Sequence, residues 1–167
     1  MTDFTCNTNY LQPTGFKITV SKENYPYLSF FAQSVQHPSM EVEPVELGYK
    51  RIQNLPFIGH AINNGQLVME ALIDEEMGLY AEVYNWLSRM VETKHTLNTG
   101  LVKPSDGIPD YCDIRVEVLT SSNTANRTIK YVNAFPVSLG DVQLAATNEE
   151  TFLTIPLSFR FDYFEFI

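Results

Sequence analysis

Basic residues are scarce in this chain: eleven Lys and Arg stand against twenty Asp and Glu, a formal charge of −9. Neutralising phosphates takes clustered Lys and Arg, and these are scattered, so a dedicated nucleic-acid-binding module is excluded. Cysteine is rarer still. Cys6 and Cys112 lie far apart and outside any paired spacing, which fits free thiols in a reducing compartment better than a disulfide. No apolar run approaches the ~20 residues of a membrane-spanning helix. Met1 to Tyr10 has neither a cationic start nor an apolar core, so no export signal is expected.

Chemistry-bearing patterns are equally thin. His37, His60 and His95 fall in separate segments with no second ligand at metal spacing, so no metal site is expected. Gly59 and Gly65 are isolated and neither leads into Lys-Ser or Lys-Thr, which excludes a phosphate-cradling loop. Cys112 stands among Asp110 and Asp113, and neighbouring carboxylates raise a thiol's pKa, so it is a poor nucleophile. Glu75 and Glu76 are adjacent and point apart on a helix; a place at a helix start explains them better than paired acid and base roles. Asn126-Arg127-Thr128 fits a glycosylation acceptor, which carries no weight without export. No catalytic residue, cofactor or metal is assigned.

Strand patterns are what the chain has in quantity. Leu153, Ile155, Leu157, Phe159, Phe161 and Tyr163 alternate with Thr154, Ser158, Arg160 and Asp162, the two-residue period of a half-buried strand. An aromatic-rich strand of this kind aggregates unless its edge is covered, within the fold or by a neighbouring subunit. Phe16, Ile18 and Val20 predict a first strand, Leu28 to Gln36 a second after a turn at Asn24-Tyr25-Pro26, and Leu67 to Ile73 another after a turn at Asn63-Asn64-Gly65. Leu79, Val83, Trp86 or Leu87, Met90 and Val91 recur at helical spacing, so one helix is predicted from about Glu75 to Glu92, with Asp74 as its cap. Asp113 to Leu119 and Thr128 to Phe135 predict a hairpin, followed by a connection over Pro136 to Gln143 and a turn at Thr147 to Thr151.

Between His37 and Pro56 three prolines and three glutamates punctuate Met40, Val42, Val45, Leu47, Tyr49 and Ile52. A long loop or irregular hairpin with this much apolar surface either packs on its own core or docks on a neighbouring chain. The expected fold is mainly β (α+β): two packed antiparallel sheets or a partly closed barrel, with one flanking helix.

This order of elements resembles the tail tube proteins of contractile-tailed bacteriophages, related to the tube proteins of pyocins and type VI secretion systems. The resemblance runs from Phe16 to Phe166 and rests on Phe16-Lys17-Ile18-Thr19-Val20, Val42-Glu43-Pro44-Val45, Leu72-Ile73-Asp74-Glu75-Glu76 leading to Tyr84-Asn85-Trp86-Leu87, Phe135 to Leu144, and Phe159 to Phe164. It implies a non-enzymatic subunit: residues 1–15 as an extension, and residues 16–167 as a tail-tube-like β domain that completes a larger β-barrel on oligomerisation. Hexameric rings would stack into a tube that conducts DNA without binding it specifically, beside sheath and baseplate partners. The place implied is the virion tail, assembled in the host cytoplasm, with no membrane partner. Glu41, Val42, Glu43, Pro44, Val45, Glu46, Leu47 and Tyr49 would make the contact between rings. Glu70, Glu117 and Asp162 are candidates for the lumen because they interrupt polar strand faces, an outer solvated face being the alternative for each. The polar residues before the first strand and the turn-rich stretch at Leu101 to Pro109 leave open a tube initiator or terminator of the same fold at the baseplate or neck. A soluble binding module or enzyme with a cleft between sheets is the reading from another class.

Overall fold

The computed structural model describes residues 11, 13–20, 24–49, 53–91, 109–144 and 152–167. Their order is β1 (Phe16–Thr19), α1 (Pro26–Phe31), β2 (Ala32–Gln36), β3 (Met40–Val42), β4 (Val45–Tyr49), β5 (Gln53–Phe57), β6 (Ile62–Asn64), β7 (Leu67–Leu72), α2 (Gly78–Met90), β8 (Cys112–Leu119), β9 (Ala125–Leu139), β10 (Thr154–Arg160) and β11 (Tyr163–Phe166).

One antiparallel sheet runs β1-β8-β9-β10-β7-β2, with β11 also paired to β9, and it does not close into a barrel. The alternating closing segment lies at its centre. β10 pairs with β9 on one side and β7 on the other, which buries Ile155, Leu157 and Phe159 completely. Each such side chain is worth about 1.5–3 kcal/mol relative to exposure. β10 and β11 follow β9 in one register, with Arg160 opposite Phe135 and Tyr163 opposite Val132.

The period slips at Asp162, and here the sequence pattern misleads. Asn133 of β9 has a left-handed φ of 53°, which Asn tolerates better than most residues. It faces the bend, its Nδ2 donating to Asp162 Oδ2 at 2.7 Å. Beyond the bend the faces exchange, so Tyr163 is exposed while Phe164 turns in against Tyr131 and Phe161.

α2 forms where the helical period predicted it and buries Leu79, Val83 and Trp86. It starts at Gly78, later than Glu75, because Met77 adopts a left-handed conformation ahead of it. Asp74 caps from further back, accepting N–H bonds from Gly78 and Leu79 at 3.0 and 3.2 Å. Partial desolvation pushes this carboxyl up, but those bonds outweigh it and hold the pKa below the ordinary value.

Other boundaries differ from the sequence reading for local reasons. Leu28 to Phe31 is helical, because Pro26 opens α1 and the Glu82 carboxylate of α2 receives the Leu28 N–H. β9 continues through the expected connection to Leu139, Pro136 being accommodated at a register shift against β10. Asn63 and Asn64 are strand residues paired with Glu41 and Met40, so the turn follows them. The expectations for Cys6, Ile52, His95, residues 101–108 and 147–151 fall outside the described residues.

The core is tied by an aromatic stack. Tyr25 lies on Trp86 with centroids 4.1 Å apart, Arg89 Nη2 donates to the Tyr25 hydroxyl at 2.6 Å, and the Trp86 indole N–H donates to the Asp110 carbonyl at 2.8 Å.

Candidate assembly interface

Residues 40–49 and 53–64 leave the main sheet as an arm of two antiparallel ribbons, β3 with β6 and β4 with β5. Val45 stands opposite Phe57 and Leu47 opposite Leu55. Directly opposed side chains share a face, so these four form one apolar stripe. They are between 39% and 55% exposed, so among the described residues none covers the stripe fully. The other face carries Glu46, whose Oε2 accepts from Asn54 Nδ2 at 3.0 Å. Val42 opposite Ile62 adds a second exposed apolar pair. A two-stranded ribbon is marginal alone in water, and this one leaves its apolar face bare. At the joint between ribbons a Cβ on Gly59 would collide with the Glu43 carbonyl, so this close approach requires glycine.

The arm is anchored at its root. Gly65 N–H donates to the Ser39 carbonyl at 2.8 Å, and His37 Nδ1 lies 2.6 Å from the Tyr131 hydroxyl. Burial pushes the Tyr131 hydroxyl far above its ordinary pKa and desolvation lowers that of His37, so a neutral imidazole meets a protonated phenol, with the tautomer setting which of the two donates. The His37 ring also meets Phe164 nearly perpendicularly at 4.9 Å.

The eight residues that the sequence assigned to contact between rings all fall in this arm. Glu41 and Val42 lie on β3, Glu43 and Pro44 at the joint, and Val45, Glu46, Leu47 and Tyr49 on β4. Sequence reasoning missed the answering strand. Pro56 reads as punctuation, yet in a two-stranded ribbon β5 has a free edge where proline is tolerated, and Leu55 and Phe57 flank it in strand alternation.

Among the described residues, three strands of the main sheet have an unpaired edge: β1 pairs with β8, β2 with β7, and β11 with β9. Such edges are templates for pairing with another chain.

The sheet face turned away from the core carries the sheet's paired charges, with Phe135, Val132, Tyr163 and Val68 among them. On its β1-β8-β9-β11 part the charges answer one another. Lys17 Nζ lies 3.7 Å from Glu117, and Lys130 Nζ lies 2.8 Å from Asp113 and 3.9 Å from Glu165, beside Arg115 in the same cross-strand row. Modest desolvation pushes the Asp113 carboxyl up, but Lys130, the Asn133 N–H and Arg115 together hold it below its usual range. On the β10-β7-β2 part the row Gln36, Val68, Ser158, Ser138 is uncharged, and in the next row Ser34 donates to Glu70 at 3.3 Å. Glu70 and Glu117 therefore share this face on strands three positions apart, while Asp162 sits at the bend between β10 and β11. The structure does not bring the three into one cluster.

Comparison with known proteins gives one family and one fold. A family model described as phage tail tube protein matches residues 2–167. The tube-containing sheath–tube complex of an extracellular contractile injection system (PVC, extended state) includes a chain that superposes with a TM-score of 0.67 at 14% identity, over 96% of this chain and 93% of that one. The sheath/tube terminator structure of the same kind of system gives 0.66 at 15% identity, over 96% and 99%. The tube-terminating cap of the anti-feeding prophage gives 0.65 at 14% identity, over 95% and 91%. At these identities the likeness is one of fold. No curated protein matches the sequence.

Proposed function

The chain belongs to the phage tail tube protein family, structural proteins and not enzymes, and from that premise we propose that it forms the inner tube of a contractile tail as stacked hexameric rings. The observation that carries this reading is the trio of unpaired strand edges on β1, β2 and β11. In a lone molecule they are a liability; joined around a ring they complete a barrel that has no edge. A head-to-tail contact that closes gives a ring, whereas ring-on-ring stacking is open-ended and gives a filament. The arm, with its bare stripe of Val45, Leu47, Leu55 and Phe57, is the element for stacking. Sheath and baseplate proteins are the expected partners outside, DNA the expected cargo within, and the virion tail, built in the host cytoplasm, the expected place.

A tube terminator or initiator of the same fold is the second reading. It is favoured by the TM-scores of 0.66 and 0.65 to terminator and cap structures, level with the 0.67 to the sheath–tube complex.

Electron microscopy of the purified protein tests the proposal. Hollow tubes of uniform bore are expected, and single rings that never lengthen would favour the terminator. A protein that elutes as a strict monomer at high concentration would overturn both readings.

A further inference from the structure

The charge of −9 invites the view that the bore is acidic and repels DNA. The register of the strands points elsewhere. The sheet face turned away from the core carries Lys17, Arg115, Lys130 and Arg160 against five carboxylates: Asp113, Glu117 and Glu165 on its charged half, Glu70 on its hydroxyl-rich half, and Asp162 at the bend. Among the described residues, four cations against five anions leave a net of −1 on this face. Most of the chain's negative charge therefore lies elsewhere, including Glu41, Glu43 and Glu46 on the arm and Glu75 and Glu76 before α2, all exposed.

We infer that this face, as the wall of the bore, is charge-compensated between neighbouring strands, so that a polyanionic duplex meets a surface with almost no net field. The inference rests on the tube reading and adds to it which charges the cargo meets. Six copies carry −54 in all but bring only −6 to the wall. The contacts explain why the compensation is local. Lys17 is held by Glu117, and Lys130 lies between Asp113 and Glu165. A cation already neutralised by its neighbour has little to offer a phosphate, and retention of DNA by counterion release needs cations that are free to do so. Repulsion is missing for the same reason: paired charges of both signs cancel within about 10 Å, the screening length at physiological salt. Beyond them, Ser138, Ser158 and Gln36 present neutral groups.

The test uses tubes first verified by electron microscopy and a fluorescent 30-base-pair duplex. DNA inside the bore is read as the nuclease-resistant fraction that sediments with the tubes, at ~20 and ~500 mM salt. For the wild type this fraction should be small and change less than about twofold with salt. The triple variant Glu70→Gln, Glu117→Gln, Glu165→Gln shifts the wall from −1 to +2 per subunit and should retain at least about tenfold more duplex at low salt. The pair Lys17→Gln, Lys130→Gln shifts it the opposite way and should exclude duplex at low salt and admit it at high salt. Glu75→Gln with Glu76→Gln removes two carboxylates off the face and away from the arm, and should behave as wild type. Two results would overturn the inference: salt-gated entry in the wild type, or equal retention by the off-face variant. Absence of tubes in the micrographs would instead sink the tube reading, so the two failures are distinct. Because the wild-type salt comparison decides alone, a variant that fails to assemble does not rescue the idea.

Discussion

Glu82 is poorly accommodated where it stands on α2. It reaches from α2 to accept the N–H of Leu28, while its Oε1 is shielded from solvent with no hydrogen-bond partner. Desolvation raises its pKa, only partly offset by the Leu28 and Tyr27 N–H bonds, and pushes it up to about 7 from 4.5. The folded state therefore holds a proton that the unfolded chain releases above pH 4.5. Its stabilising effect is full below that pH and is lost as pH rises through about 7. With the carboxylate half-exposed and screened, roughly 1–2 kcal/mol is at stake. Glu82→Gln should flatten urea-unfolding midpoints between pH 5 and 8, where the wild type declines; parallel curves would refute the assignment. Trp86 is the opposite case. It is fully buried, stacked on Tyr25 and bonded to the Asp110 carbonyl, so Trp86→Ala should cost about 3–5 kcal/mol by urea denaturation. A loss below 1 kcal/mol would mean that the stack is not part of the cooperative core.

At the scale of elements, the arm makes the sharpest prediction. Val42→Asp with Val45→Asp places two charges on exposed apolar positions of β3 and β4, so the fold should survive while stacking fails. Sizing chromatography should show rings with an unchanged circular dichroism spectrum, and micrographs no tubes; long tubes would show that the arm does not stack rings. Elements of this length also mark how far the sequence could be read. The strands around Ile18, Met69, Val116 and Leu157 and the helix around Val83 were legible because one buried face imposes a clean period. α1 was not, since Leu28 to Phe31 takes its helical form from a cap supplied by Glu82, far away in sequence. The exchange of faces at Asp162 was hidden likewise, because its cause is the left-handed Asn133 on the neighbouring strand. Within the arm, the apolar positions of β4 could be read, but the stripe required β5, and Pro56 disguised it.

At the scale of the whole molecule, the main sheet has helices packed on its core side and, among the described residues, unpaired edges at β1, β2 and β11. Partners that bind only the folded state raise apparent stability by mass action. The unfolding temperature should therefore climb by several degrees over a hundredfold rise in protein concentration, measured by scanning fluorimetry. A constant value would argue that those edges stay unpartnered in solution. At this scale the function was legible only as a resemblance, because the contacts that would perform it lie between copies and leave in one sequence no more than bare edges and a bare stripe.

The central place of β10 in the sheet has a consequence for biosynthesis. This strand joins β9 to β7, yet it is translated after both, and β7 must wait more than eighty residues for its mate. A nascent chain on the ribosome thus cannot finish its scaffold until Thr154 to Arg160 has emerged, and such distant pairing is slow to form. Under the proposed assembly, the sheet that carries the edges of both β1 and β2 becomes continuous only once translation has passed this point, which would keep unfinished polypeptides out of a growing filament.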